Sequence, residues 1–577
     1  MEDEKKIKDV GMTTDISSEE DQHNDYEPEP TEDDWKNLRE VADTLPKSAF
    51  LIILIEFCER FTFYGLSGPF QNYIQQPPPA SYPAEVPGAL DKGQQTATAL
   101  TTFFSFWCYC TPILGAIIAD QYLGRYKTIL TFSFIYLIGL LILTCSSIPV
   151  AIENGAAFPG LVVSLIVIGF GTGGIKSNVS PLIAEQCPHT KPFIRTLENG
   201  ERVIVSPQAT YQKLFNMFYW GINCGSLASL TTTLIEKNVG FWAAFLLPTC
   251  VFIPGIILVI IGKGWYVQTP PRGSIFFEVG AVIRLSFKHG LEGCKPSRLQ
   301  ENDPENAAKA TWDDVFVDEL RRTFKACIVF CWFPLYWLCY SQMTNNLVSM
   351  VATTQTGSVP NDIMQNINPL TLVICIPIMD RVFYPVVRRL GFPMRPMSRI
   401  TCGFIFASLG MAYTAIIQHL IYSQPPYYDH PSGKKNDITA AIVVPSYVLI
   451  AISEIFASIT GLEYAFKKAP EKMKSLVMAG FLFTNCIGSV LGFALVSVAV
   501  DPKLQWMYTG ISVAMFTCAI LFYICHGKND ATDVAEDNIG RAKSEKELYA
   551  QKVVDHEQEG LHETAIVDYE ANIKSTV

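Results

Sequence analysis

Charge is scarce in this 577-residue chain: Asp, Glu, Lys and Arg supply 17% of it, against 49% hydrophobic residues. Ordinary soluble domains carry about 25% charge. The apolar residues also gather in blocks of about 20, the length that crosses a bilayer, so the pattern is that of a polytopic membrane protein. Histidines number only eight and lie mostly in loops and tails. The sixteen cysteines fall largely inside apolar blocks, and Cys108-Tyr109-Cys110 has no second pair or nearby histidine to complete a metal site. They read as small core residues. No His/Asp or Cys/His constellation sits at a depth suited to catalysis, so no enzyme is expected. No basic patch interleaved with aromatics suggests nucleic acid. The first 46 residues lack the regions of a secretory signal peptide, so the first apolar block must direct insertion.

What charge there is lies at the ends. The net charge is -11, yet residues 1–34 alone carry -11 and residues 527–577 carry -6, leaving residues 35–526 at +6. Both tails lack apolar periodicity and read as disordered, 1–46 and 527–577. Twelve spans are predicted near 48–73, 96–119, 126–147, 159–184, 211–235, 241–263, 323–345, 365–388, 398–422, 438–466, 473–498 and 504–526. With both tails cytosolic, the inner loops hold fifteen basic residues, among them Arg125, Lys127, Arg388, Arg389 and Lys467, and the outer loops five. That asymmetry orients the chain with both termini inside.

The loop 264–322 divides the spans into two six-helix halves, 47–263 and 323–526. Within it Phe276, Val279, Val282, Ile283 and Phe287 share one helical stripe, predicting a helix at the inner membrane interface. The halves echo each other. "GAIIADQYLGRYKTI" closes the second span with Asp120, Gly124 and Arg125, and "CIPIMDRVFYPVVRRLGF" closes the eighth with Asp380, Arg381 and Gly391. The repetition resembles the inner-loop signature of the major facilitator superfamily, an all-α membrane fold of twelve helices in two bundles that rock about a central site.

Against this apolar background, "IEFCERFTFYGL" places Glu56, Glu59 and Arg60 about 13 to 20 Å into the first span. A lone charge there costs about 2.5 to 3.5 kcal/mol even on the lenient insertion scale. Glu56 and Arg60 stand four residues apart on one face, with Glu59 adjoining, so one cation serves two carboxylates and one acid is left over as a candidate proton carrier. The alternative is an ion-pair knot that only locks packing. Lys176 follows small residues Gly169, Gly171, Gly173 and Gly174 in the fourth span, and Glu454 lies in the tenth. A cleft between these halves is positive on one wall and negative on the other, which suits a zwitterion. Lys176 is also expected to pair with Glu56 or Glu59 when no substrate is present. Glu463, nearer the cytosolic end, reads as an inner-gate or surface group.

"EFCERFTFYG" resembles the ExxERFxYYG signature of the proton-dependent oligopeptide transporter family. "GAIIADQYLGRYKTI", "FNMFYWGINCGSL" and "SEIFASITGLEYAF" resemble its other signatures, so the likeness runs from about Lys47 to His526, with fungal di- and tripeptide permeases as the nearest group. The resemblance implies Glu56, Glu59, Arg60 and Lys176 as the proton-coupling cluster. It implies Lys176 and Glu454 as anchors of the peptide carboxylate and amine, with Tyr64, Asn223, Asn368 and Trp337 at pocket positions. Trp337, in "WFPLYWLCYSQ", reads equally well as helix core. Phe63 replaces the first signature tyrosine, Ser67 a frequent arginine, Ser341 an acid and Thr102 a histidine found in other members. These departures move the proton load onto the first-span cluster and Glu454.

The function expected is therefore proton-coupled symport of di- and tripeptides by alternating access. The protein is expected in the plasma membrane as a multi-pass monomer in lipid, with H⁺ as coupling ion and no cofactor or metal. A carrier of nitrate or another small anion, and a nutrient sensor that binds without transport, are the alternatives.

Overall fold

The computed structural model describes residues 26–27, 30–31, 34 and 37–527, except 188, 190–191, 198–199, 269, 272–274, 358, 392–393, 428–434 and 469–473. Most of both tails, expected to be disordered, lies outside the described residues. Every one of the twelve apolar segments is helical, as lipid requires, because only internal hydrogen bonding satisfies the backbone there. Among the described residues nine helices are long and apolar enough to cross a membrane, or ten if the bent pair Asp314–Phe330 and Phe333–Ala352 is one span. The first segment, Lys47–Ser67, carries the three buried charges, and the fifth, Pro207–Ser226 continued by Ala228–Asn238, is relatively polar.

Each half has its own core. Phe70, Tyr73, Phe132, Tyr136 and Phe245 fill the first, and Phe333, Phe404, Tyr447, Phe481 and Phe522 the second. The glycines of the fourth span, Ala157–Ala184, admit its neighbours closely. A Cβ on Gly173 would fall 2.2 Å from the Thr111 hydroxyl oxygen, and one on Gly174 would fall 2.1 Å from the Phe132 ring. Close packing through small residues is how helices associate where lipid removes the hydrophobic drive.

The echo between halves extends to the backbone. The second span, Gly93–Ile118, ends in a π turn at Ala119–Leu123, and the eighth, Ile367–Ile378, in a π turn at Met379–Phe383. Gly124 and Gly391 follow at φ 76° and 87°, a left-handed region that favours glycine. The side chain of Asp380 lies outside the described residues, whereas Arg125 forms an ion pair with Glu185 of the fourth span.

Two expectations need correction. Part of the 1–46 tail is ordered: β1 (Tyr26–Glu27) and β2 (Arg39–Val41) flank a hairpin of β3 (Phe193–Thr196) and β4 (Arg202–Val205), in the order β1-β3-β4-β2. β2 runs parallel to β4, with Arg39 opposite Val203, and the buried Val203, Ile204 and Val205 supply the apolar strip that the tail itself lacks. The linker helix, Ile275–His289, does not present its whole stripe to one surface. Val279 and Val282 are buried against Cys294, Phe316 and Leu320, so the helix Asp314–Phe330 covers that face, while Phe287 of the stripe stays exposed. An apolar stripe is satisfied by protein as readily as by lipid.

Hydrogen bonds between the halves gather at the end of the molecule opposite Lys47 and His526. Gln71 donates to Ser349 at 3.0 Å, Thr98 to Asn346 at 3.0 Å, and Gln365 to the Gly68 carbonyl at 3.3 Å. Ser229 bonds Asn366. The two bundles thus close on each other at this distal end.

Candidate functional site: a polarised cleft between two bundles

Arg60 is the hub of the first-span cluster. Its Nε lies 3.1 Å from a Glu56 oxygen and its Nη2 2.5 Å from a Glu59 oxygen, with all three side chains buried. Planar, multidentate guanidinium can serve two carboxylates at once, which ammonium cannot. The Thr172 hydroxyl donates to the other Glu59 oxygen at 2.7 Å, tying the cluster to the fourth span. From the fifth span, Gly225 comes so close that a Cβ there would sit 2.8 Å from the Arg60 Cβ. The "NCG" stretch therefore packs directly on the arginine.

Lys176 lies one helical turn beyond Thr172, but it does not make the ion pair expected with Glu56 or Glu59. Arg60 already occupies both carboxylates, and the Lys176 ammonium rests instead over the Tyr109 ring, 4.0 Å from its centroid. A cation on an aromatic face keeps part of the stabilisation it loses with water.

Glu454, half-buried on the opposite half, accepts from the Asn368 amide at 2.9 Å and bonds Tyr340. The tenth span passes from α-helix Val444–Glu454 into a π turn at Ile455–Ile459 immediately after this residue. Such turns recur at functional positions because they re-aim side chains. Tyr64, Tyr109 and Tyr340 lie within electrostatic range of Glu454 and of one another. Tyr109 thereby lies against the ammonium of one half and within electrostatic range of the carboxylate of the other.

Asn223 donates to the Tyr219 carbonyl of its own helix at 2.8 Å, and Tyr219 in turn lies in range of Glu454. Trp337 is placed elsewhere. Its ring is packed into the core of the second half and its indole N–H donates to Thr484 at 2.9 Å, so it acts as core rather than pocket. Thr102 and Ser341 line one small cavity with Asn345 and Asn346, and no tyrosine is among its lining residues. Glu463 faces Arg399 at 3.7 Å, outside this constellation.

Sequence reasoning missed Tyr109, Tyr219, Tyr340 and Thr172. The signal existed in "FWCYC" and "WLCYSQ", since a phenol in an apolar span needs a polar partner. Attention to the cysteines hid it.

A family profile described as "POT family" matches residues 126–527. The chain belongs to the POT family. A second profile, "Sugar (and other) transporter", matches residues 48–194. "Probable peptide transporter ptr2" of Schizosaccharomyces pombe is 49% identical over 519 residues, 89% of this chain and 83% of that protein. "Peptide transporter PTR2" of Saccharomyces cerevisiae is 40% identical, covering 91% of this chain and 88% of its own. The crystal structure of the POT family transporter PepTSo superposes with a TM-score of 0.65 at 22% identity, over 85% of this chain and 99% of that one. At that identity it establishes the fold, which is the two-bundle transporter architecture expected of the major facilitator superfamily. As a POT family member, this chain is a multi-span membrane transporter.

Proposed function

We propose that this POT family member is a proton-coupled symporter that imports di- and tripeptides by alternating access. The observation that carries the reading is the placement of Lys176 and Glu454 on opposite halves, with Tyr109 against the first and within electrostatic range of the second. A short peptide is a zwitterion of matching polarity: its carboxylate meets Lys176, and its ammonium meets Glu454 and Asn368. The relatives named as peptide transporters support the same cargo. Tyr64, Tyr109 and Tyr340 offer hydroxyls to the peptide backbone, and Asn223 keeps its amide oxygen for the same purpose.

The coupling ion is H⁺, taken by the acid that Arg60 leaves uncompensated once a peptide carboxylate engages Lys176. Each inward proton gains about 2.3 kcal/mol per 100 mV of membrane potential. The protein works as a monomer in the plasma membrane, with both termini in the cytosol. Uptake of a labelled dipeptide into proteoliposomes under an acid-outside gradient tests this. Accumulation that collapses with a protonophore, and competition by dipeptides but not nitrate, are expected. Accumulation indifferent to the gradient overturns the coupling, and binding without counterflow overturns transport.

A further inference from the structure

A second pair of buried acids lies in the distal closure, away from the cleft. Glu236 ends the fifth span within Ala228–Asn238, and Asp362 lies in the 3-10 turn Asn361–Asn366 that opens the eighth; both are fully buried. They come from opposite halves, and their carboxyl groups are in hydrogen-bonding contact with each other. Asn72 donates to one Glu236 oxygen at 3.2 Å and exchanges amide hydrogen bonds with Asn361 at 2.9 Å each way. The other Glu236 oxygen and both Asp362 oxygens have no aligned donor, although the backbone N–H groups of Asp362 and Ile363 lie nearby.

Among the described residues the charged surroundings are few. Lys237 is the cation that acts on Asp362, Tyr82 lies near Glu236 and Tyr447 near Asp362. Lys435, which acts on Lys237, is paired with Glu85 at 3.2 Å. Among the described residues the two ammoniums of Lys237 and Lys435 thus stand against the three acids Glu85, Glu236 and Asp362, leaving one negative charge. Two ionised carboxylates in contact repel, whereas one proton between them turns the repulsion into a hydrogen bond and brings the group to neutrality.

We propose that Glu236 and Asp362 share a single proton that latches the distal gate, so the halves part there as that proton leaves. Once the halves part, water reaches both acids and they ionise separately, so opening releases the proton to the distal medium. Acid on that side holds the gate shut and alkali opens it. The latch proton returns to the side it came from, so it adds no charge to the transported total and acts as a sensor separate from the Arg60 cluster.

Hydrogen–deuterium exchange of the full chain in nanodiscs tests this without any peptide cargo. Exchange of segments 70–76 and 361–366 is read at about pH 5.5 and about pH 8 after correction for intrinsic rates, with opening favoured up to about tenfold per pH unit by the linked proton. The expected result is loss of protection at the higher pH in the native chain, and no pH difference in Glu236→Gln/Asp362→Asn. Asp362→Asn alone serves if the double variant fails to fold, because the new amide donates to Glu236 without a proton. Equal protection of the native chain at both pH values overturns the latch, as does a full pH difference retained in the variants.

Discussion

In the proposed function Lys176 and Glu454 divide the work of recognising one small molecule, and their neighbours predict how each fails. Lys176 has an aromatic seat rather than a carboxylate in contact, so Lys176→Ala breaks no direct ion pair. Proton-driven uptake is expected to vanish while the protein still inserts and elutes as a folded species in detergent; wild-type accumulation in this variant would remove its role. Glu454 is held by Asn368 and Tyr340, and its amide analogue keeps those contacts but not the charge. A charge-assisted hydrogen bond contributes about 1.5 to 3 kcal/mol, so Glu454→Gln is expected to weaken free-amine peptides about tenfold or more in competition assays. N-blocked analogues should change little, and equal loss for both would refute the amine anchor.

At the level of the element, the fourth span shows why small residues sit beside a lysine. The Phe132 ring stands where a Gly174 side chain would go, so Gly174→Ala forces a shift in a close-packed seam at a cost of about 1 to 3 kcal/mol. A lower thermal unfolding midpoint in detergent is the check. The small sheet offers a different handle. Burial pushes the Asp43 carboxyl up, but hydrogen bonds from the Thr44 backbone, His189 and Arg195, with the Arg195 charge, outweigh it and hold the group below its ordinary value. A lowered carboxyl contributes stability that is complete above its unfolded value, near pH 4, and is lost as pH falls through the folded value. Protection of residues 39–43 from exchange is expected to hold at neutral pH and to fade on acidification below about pH 4. Asp43→Asn should weaken it throughout.

For the molecule as a whole, the distal closure decides which face is open. Asn72 bridges the halves by bonding both Asn361 and Glu236. Asn72→Ala leaves both without that partner, and an unsatisfied buried polar group costs about 1 to 3 kcal/mol. The distally open population is expected to rise at least several-fold, read as faster exchange of segment 361–366. Unchanged exchange would show that this bridge does not hold the gate.

The sequence alone determined the twelve apolar helical segments, the family resemblance and which charges lie inside them, Glu56, Glu59, Arg60, Lys176 and Glu454, because a charge in lipid is expensive wherever the chain folds and so stands out in one dimension. The partners of those charges were decided only in three dimensions. Whether Lys176 meets an acid or a ring, whether Trp337 faces cleft or core, and whether Glu236 touches Asp362 all depend on which helices pack together. That packing also turns a sequence with no apolar pattern of its own, residues 39–41, into an ordered strand by lending it the buried edge of a neighbouring hairpin. Side-chain neighbours across helices are set by distances that local spacing does not encode.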